Sequence, residues 1–196
     1  MGIGRSQETA RPDAAARSSN ILSRFLHDTS GSTAIEFAKL AIPFAALTFA
    51  ILETCISFAG QQVVANATDN LARQLRTGQI KAADLTEASL RKLICDQIEV
   101  IVATGCPGLE VDLRTRPTFA QLAALPLPLT GSGEEREIDT ENIEFEPGLS
   151  MEKNMLRVLY PWPVMTDLMR ERLSNLKGHK TLLFATATWQ NEPFDD

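Results

Sequence analysis

From Phe37 to Phe58 the chain is almost unbroken in its apolar character, yet it carries Glu36 at its lip, Lys39 one turn in and Glu53 deep inside. As a helix this run of about 22 residues measures roughly 33 Å, enough to cross a bilayer core of ~30 Å. An ionised side chain near the bilayer centre costs about 2.5–3.5 kcal/mol on insertion scales, so each charge in the run asks for a reason. Pro43 lies inside the run and would kink it, which membrane helices tolerate better than soluble ones.

Beyond Phe58 the pattern stays helical. Val63, Val64, Ala67, Leu71 and Leu75 recur at three- and four-residue steps, with Gln61, Gln62, Asn66, Asp69, Asn70 and Arg73 between them. The spacing predicts one long rod over residues 32–78, apolar at first and amphipathic later, with Gly78 as its C-terminal stop. Residues 1–31 precede it as a Ser-, Ala- and Arg-rich leader with a small positive excess, from Arg5, Arg11, Arg17 and Arg24 against Glu8, Asp13 and Asp28. Up to about Ser19 this composition cannot bury much apolar surface. Ile21, Leu22, Phe25 and Leu26 have the spacing of a short amphipathic turn at a membrane surface. Basic residues ahead of the apolar run favour a cytoplasmic N-terminus, a preference weakened by Arg73 and Arg76 on the far side.

Residues 79–196 read as a separate domain. Asp84 and Glu87 are a capping pair for a helix to about Ile101, whose inner face would be Leu85, Ala88, Leu93 or Leu90, Ile94 and Ile98. Cys95 lies on that helix and Cys106 in the following Gly-Cys-Pro-Gly turn. They would form a disulfide if the domain lies outside the cytoplasm, and would otherwise be two core thiols. Leu109 to Thr115 alternates, with Leu109, Val111 and Leu113 on an apolar face and Glu110, Asp112 and Arg114 on a face expected to meet water. Pro126 to Gly148 reads as a solvated loop, pinned in part by Ile143 and Phe145 as an edge strand. Strands follow over Met155–Trp162 and Thr181–Trp189, with a helix between them over Met165–Leu176 that presents Leu168, Met169 and Leu173. The expected fold class is α/β (α+β): a long N-terminal membrane and amphipathic helix, then a small domain with a mainly antiparallel sheet and two helices. Tyr160, Trp162 and Trp189 are expected in its core.

Composition narrows the function. A net charge of −6 with no basic patch argues against nucleic acid. Two histidines far apart and three cysteines form no metal-ligand pattern, and no cofactor motif is present. No nucleophile–base set suggests an enzyme.

The order Gly31-Ser32-Thr-Ala-Ile-Glu36-Phe37, followed by an apolar helix, resembles the processing site of type IV prepilins and pseudopilins, in the short-leader branch that builds Flp pili by the tight-adherence (Tad) system. Glu36, Pro43 and Glu53 fall where TadE-like proteins carry a glutamate, a proline and a late second glutamate. Phe145-Glu-Pro-Gly148, the segment from Arg157 to Pro163 and the ending Leu183 to Phe194 are similar to the closing block of that family, with Gln190 in place of the commoner arginine. The Cys95/Cys106 pair also looks like the family.

The resemblance implies a minor pseudopilin of the inner membrane: single-pass, N-terminus cytoplasmic, C-terminal domain periplasmic. It implies cleavage after Gly31 by a prepilin peptidase, with Ser32 as the new N-terminus. Its partners would be that peptidase, other pilins or pseudopilins, the inner-membrane assembly platform and membrane lipid. Glu36 would pair with the free amine of a neighbouring subunit; its bland alternative is a solvated charge at the helix lip. Glu53 has three readings: protonated in the bilayer, hydrogen-bonded to a partner helix, or set at the outer interface. Cys55 is expected as a small apolar side chain in or at the membrane. The final Asn191-Glu192-Pro193-Phe194 either closes the domain or docks a neighbour, with closure favoured.

The competing reading is a secreted or membrane-anchored envelope binding module whose run Leu40–Leu52 is an ordinary signal. Ala65-Asn66-Ala67 then resembles a cleavage site, although it lies far beyond the run.

Overall fold

The computed structural model describes residues 31–194. The expected leader up to residue 30, with its amphipathic turn, lies outside the described residues. By packing, the chain divides into two units, Met1–Ala46 and Leu47–Asp196. In the described part of the first, the chain opens a long helix, α1 (Ser32–Arg76), which continues through Pro43. Ile35, Phe37, Leu40, Ile42 and Phe44 all expose their side chains there.

The second unit is built on the rest of α1 and a three-stranded antiparallel sheet. Along α1, Val64, Ala67, Leu71, Ala72 and Leu75 are buried, which is the 3.6-residue stripe the sequence shows. The helix stops two residues before Gly78, whose φ of 69° reverses the chain. The N–H of Gly78 bonds Leu75 O at 3.2 Å and that of Gln79 bonds Gln74 O at 3.0 Å, so the last helical carbonyls are satisfied.

Helix α2 (Glu87–Ile98) starts later than expected. Thr86, not Asp84, is its N-cap, and a capping box joins the Thr86 and Ser89 side chains to each other's backbone N–H. Leu90, Ile94 and Ile98 are its buried face, while Ala88 is exposed and Leu93 half-buried. Cys95 and Cys106 form a disulfide, with Cα atoms 5.7 Å apart. The bond ties α2 to the turn that leads into strand β1 (Glu110–Arg116). A closed loop of this size contributes ~3 kcal/mol in the chain-entropy account.

After β1 come a short helix α3 (Phe119–Ala123), which was not expected, and a small ribbon of β2 (Leu129–Thr130) with β3 (Glu137–Ile138). Strand β4 (Lys153–Pro163), helix α4 (Asp167–Leu173) and strand β5 (Lys180–Gln190) complete the domain. Strand order is β1-β4-β5, with Asp112 opposite Arg157 and Val158 opposite Ala185. The expected edge pairing at Phe145 reduces to one parallel bridge to Leu113. Both prolines at the end of β4 lie within the strand.

The two faces of β4 bury different things. Leu156, Val158, Tyr160 and Trp162 join Val64, Leu71, Leu75, Ile94 and Ile98 in the main core, so α1 and α2 cover this face. Trp189 belongs to the same core, as expected of all three large aromatics. At Gly60 the backbone of α1 comes close to side chains of β4 and β5. A Cβ there would meet Leu183 Cδ1 at 3.1 Å and Trp162 Cζ3 at 3.3 Å.

The other face corrects the expectation of a half-buried β1. Asp112 is fully buried, and Arg114 and Arg157 nearly so. Asp112 accepts from Arg114 Nε at 2.8 and 3.0 Å, from Arg157 Nε at 2.9 Å and from the Glu144 N–H at 2.9 Å. Arg114 Nη1 reaches Glu144 at 2.9 Å, and Arg157 Nη1 donates to Pro126 O at 2.7 Å. The loop between α3 and β4 folds back over this face and closes it from water. The charges therefore compensate one another instead of being solvated.

Candidate functional site

Apart from the Cys95–Cys106 disulfide, the residues singled out by sequence lie just before α1 or along its first two-thirds. Gly31 is exposed immediately before the helix, and Ser32 is the first helical residue. Glu36 and Phe37 follow in the opening turns, both exposed, Phe37 at 72%. Among the described residues α1 is the one helix long and apolar enough to cross a membrane, judged by length and composition. In the second unit Leu47, Phe49, Ile51, Leu52, Ile56 and Phe58 of α1 also expose apolar side chains. Soluble monomeric domains rarely expose an apolar stretch of this extent. Cys55 is exposed on it, so the chain itself supplies no burial for this thiol.

Glu53 departs from its surroundings. It is buried while Leu52 and Cys55 are exposed. Its Oε1 accepts from the Met165 N–H and, at 3.2 Å, from the Thr166 N–H. Its Oε2 accepts from the same N–H at 3.2 Å and from the Thr166 hydroxyl. Thr166 is the N-cap residue of α4 and makes no side-chain cap bond of its own. The glutamate of α1 thus binds the N–H groups of the N-cap residue and of the residue before it, at the helix end whose partial positive charge favours a carboxylate. Of the three readings of Glu53, the described contacts supply a partner within the chain. One residue on, the Thr54 hydroxyl turns back to Ala50 O at 2.8 Å.

A second tie between α1 and the domain escaped sequence reasoning. Gln61 Nε2 donates to Phe184 O at 2.7 Å, and the Phe184 N–H donates to Gln61 Oε1 at 3.1 Å. A side-chain amide here does the work of a neighbouring strand on the open edge of β5. Its only sequence signal is a glutamine one step from the buried stripe of α1.

The C-terminal segment closes the domain, as favoured. Asn191 is buried; its Oδ1 accepts from Trp189 Nε1 at 2.7 Å and its Nδ2 donates to Gly148 O and Leu149 O at 2.8 Å each. The Glu192 N–H bonds Arg76 O at 2.9 Å, and Phe194 packs on Gly78. The two sequence blocks that end in Gly148 and Phe194 therefore meet at the end of α1.

No curated protein and no solved structure matches the chain. The stretch Ala65-Asn66-Ala67 lies inside the last third of α1, with Ala67 in the core. The similar blocks near the C-terminus lie outside the stretch matched by a family model. That stretch is residues 31–73, it begins at Gly31 and runs along α1 to Arg73, and over it the chain matches the family model of TadE-like protein.

Proposed function

We propose that this chain is a TadE-like minor pseudopilin, a structural and assembly component of a tight-adherence (Flp, type IVb) pilus, and that it performs no chemistry of its own. The observation that carries the reading is a coincidence of position. The family match begins at Gly31, the exposed residue before α1, and the Gly-x4-Glu-Phe order falls on the first turns of a helix whose apolar side chains stay exposed. In this reading a prepilin peptidase removes the leader after Gly31. α1 holds the protein in the inner membrane with the N-terminus cytoplasmic, and the disulfide-bonded domain stands in the periplasm, where Cys95 and Cys106 stay oxidised.

Assembly follows from the same surface. Exposed apolar side chains on α1 pack against the helices of other pilins or pseudopilins when the protein leaves lipid. Glu36 then pairs with the new N-terminal amine of a neighbour, and each charge offsets the desolvation of the other. The test is complementation of a strain that lacks the protein. The native chain restores surface pili, whereas Glu36→Leu, present in membranes at the native level, does not. Full piliation with Glu36→Leu would remove the role given to this carboxylate.

A further inference from the structure

We propose that the segment from Pro163 through α4 is a second membrane contact, lying in the boundary between headgroups and acyl chains beside α1, with phospholipid acyl chains against Met165 and Met169. This rests on the reading of α1 as the membrane anchor.

The position of Glu53 sets the depth. A span beginning at Thr33 and ending at Leu52 has about 20 residues and a length of ~30 Å, one bilayer core. Glu53 would then stand at the outer boundary. With Phe37–Phe58 as the span, whose exposed apolar side chains continue to Phe58, it would stand about 8 Å inside that boundary, still at the depth of an interfacial element. The segment that binds it, from Met165 into α4, must stand at the same level, because hydrogen bonds join the two directly.

The two polar side chains of α1 at this level, Glu53 and Thr54, are satisfied from within the chain. Both Glu53 oxygens accept bonds from the 165–166 segment, and the Thr54 hydroxyl is spent on Ala50 O. Saturation of this kind is what contact with lipid demands and what contact with water does not.

The remaining surface is apolar. Met165 is 67% exposed, one residue from the Glu53 contact. Ala50, Ile51, Thr54, Cys55 and Met169 line an open groove of about 230 Å³ between α1 and α4. The floor of the groove is the face of α1 that continues the exposed apolar run, so acyl chains lying against α1 reach Met169 without crossing a polar surface. Glu171, two residues from Met169 and so on the far side of α4, is exposed and Arg170 is paired to Asp167, while Arg172 flanks the methionine with a stem long enough to carry its charge to the headgroups.

The test uses the full-length chain with Cys55→Ser, reconstituted at one copy per phosphatidylcholine nanodisc. A fluorophore is placed on Met165→Cys, on Ile42→Cys within the span, or on Val100→Cys, a position 82% exposed in the turn after α2. Lipids brominated along the acyl chain are the quencher. The expected result is several-fold stronger quenching at 165 than at 100, with the 165 probe most sensitive to bromines near the headgroup. Quenching at 165 no stronger than at 100, with position 42 quenched, overturns the second contact and leaves the anchor in place. Shielding of the 165 probe from water without quenching in single-copy discs also overturns it, since protein and not lipid would cover the residue. Absence of quenching at 42 as well overturns the anchor itself.

Discussion

The Glu53 carboxylate and the Thr166 N–H lie 3.2 Å apart across 113 residues of chain. This contact joins α1, five residues before its last large exposed apolar side chain at Phe58, to the start of α4. Hydrogen bonds to charged groups contribute about 1.5–3 kcal/mol each. Glu53→Gln removes the charge and turns a donor towards two N–H groups. The variant is expected to unfold at a distinctly lower temperature in detergent, and Thr166→Val to show a smaller fall through loss of the hydroxyl alone. An unchanged Tm for Glu53→Gln would show that the contact carries no stability.

Asp112 compensates two arginines on a face closed from water. Asp112→Ala leaves Arg114 and Arg157 buried with one carboxylate, Glu144, between them, and is expected to cost about 3–5 kcal/mol in denaturant unfolding. The double change Asp112→Leu with Arg157→Met removes both members of the registered pair. It is expected to be less destabilising than Asp112→Ala, because no arginine loses its only carboxylate at the strand pair. Equal or greater loss in the double variant would assign the energy to packing.

At Gly78 two costs coincide. A side chain there meets a φ of 69° and the Phe194 ring, 2.8 Å from the added carbon. Gly78→Ala is expected to destabilise by about 1–3 kcal/mol. Adding Phe194→Ala relieves the clash but not the backbone strain, so the double variant should recover part of the loss. The coupling between the two is read from a double-mutant cycle in denaturant.

Burial holds the Glu110 carboxyl above its ordinary value of 4.5, against the opposing pull of Arg91, 3.6 Å away. The folded chain therefore binds this proton more tightly than the unfolded chain. The group's contribution to stability is fully present below pH 4.5 and is lost as pH rises through the raised folded value. Glu110→Gln is expected to melt above the native chain at neutral pH, and the gap should close as the solution is acidified towards the ordinary carboxylate value. A gap that widens on acidification would contradict the sign.

Much of this architecture is legible in the sequence because it rests on local periodicity. The stripe Val64, Ala67, Leu71, Leu75 declares the inner face of α1, and Gly78 declares its end. The alternation around Val111 and Leu113 declares β1. What could not be read depends on segments that return from a distance. Asp112 and Arg114 alternate as a solvent face should, and only the loop carrying Glu144, some 30 residues on, converts that face into an interior. Gln61 looks like any polar residue on an amphipathic helix until β5 is laid beside it. Glu53 is conspicuous as a charge in an apolar run, yet nothing local reveals that its partners are the N–H groups of Met165 and Thr166. The helix α3 has five residues, too few for periodicity to show. The cap of α2 was misplaced because Thr86 and Ser89 form the box without the acidic residue that usually marks it.

In the proposed maturation α1 begins at Ser32 in the processed protein. The most direct measurement is the N-terminal sequence and intact mass of the protein extracted from membranes of cells with and without their prepilin peptidase. The account predicts a chain starting at Ser32 when the enzyme is present and the uncleaved chain when it is absent. A chain that keeps its leader in both strains, or one cut after Ala67, would contradict it.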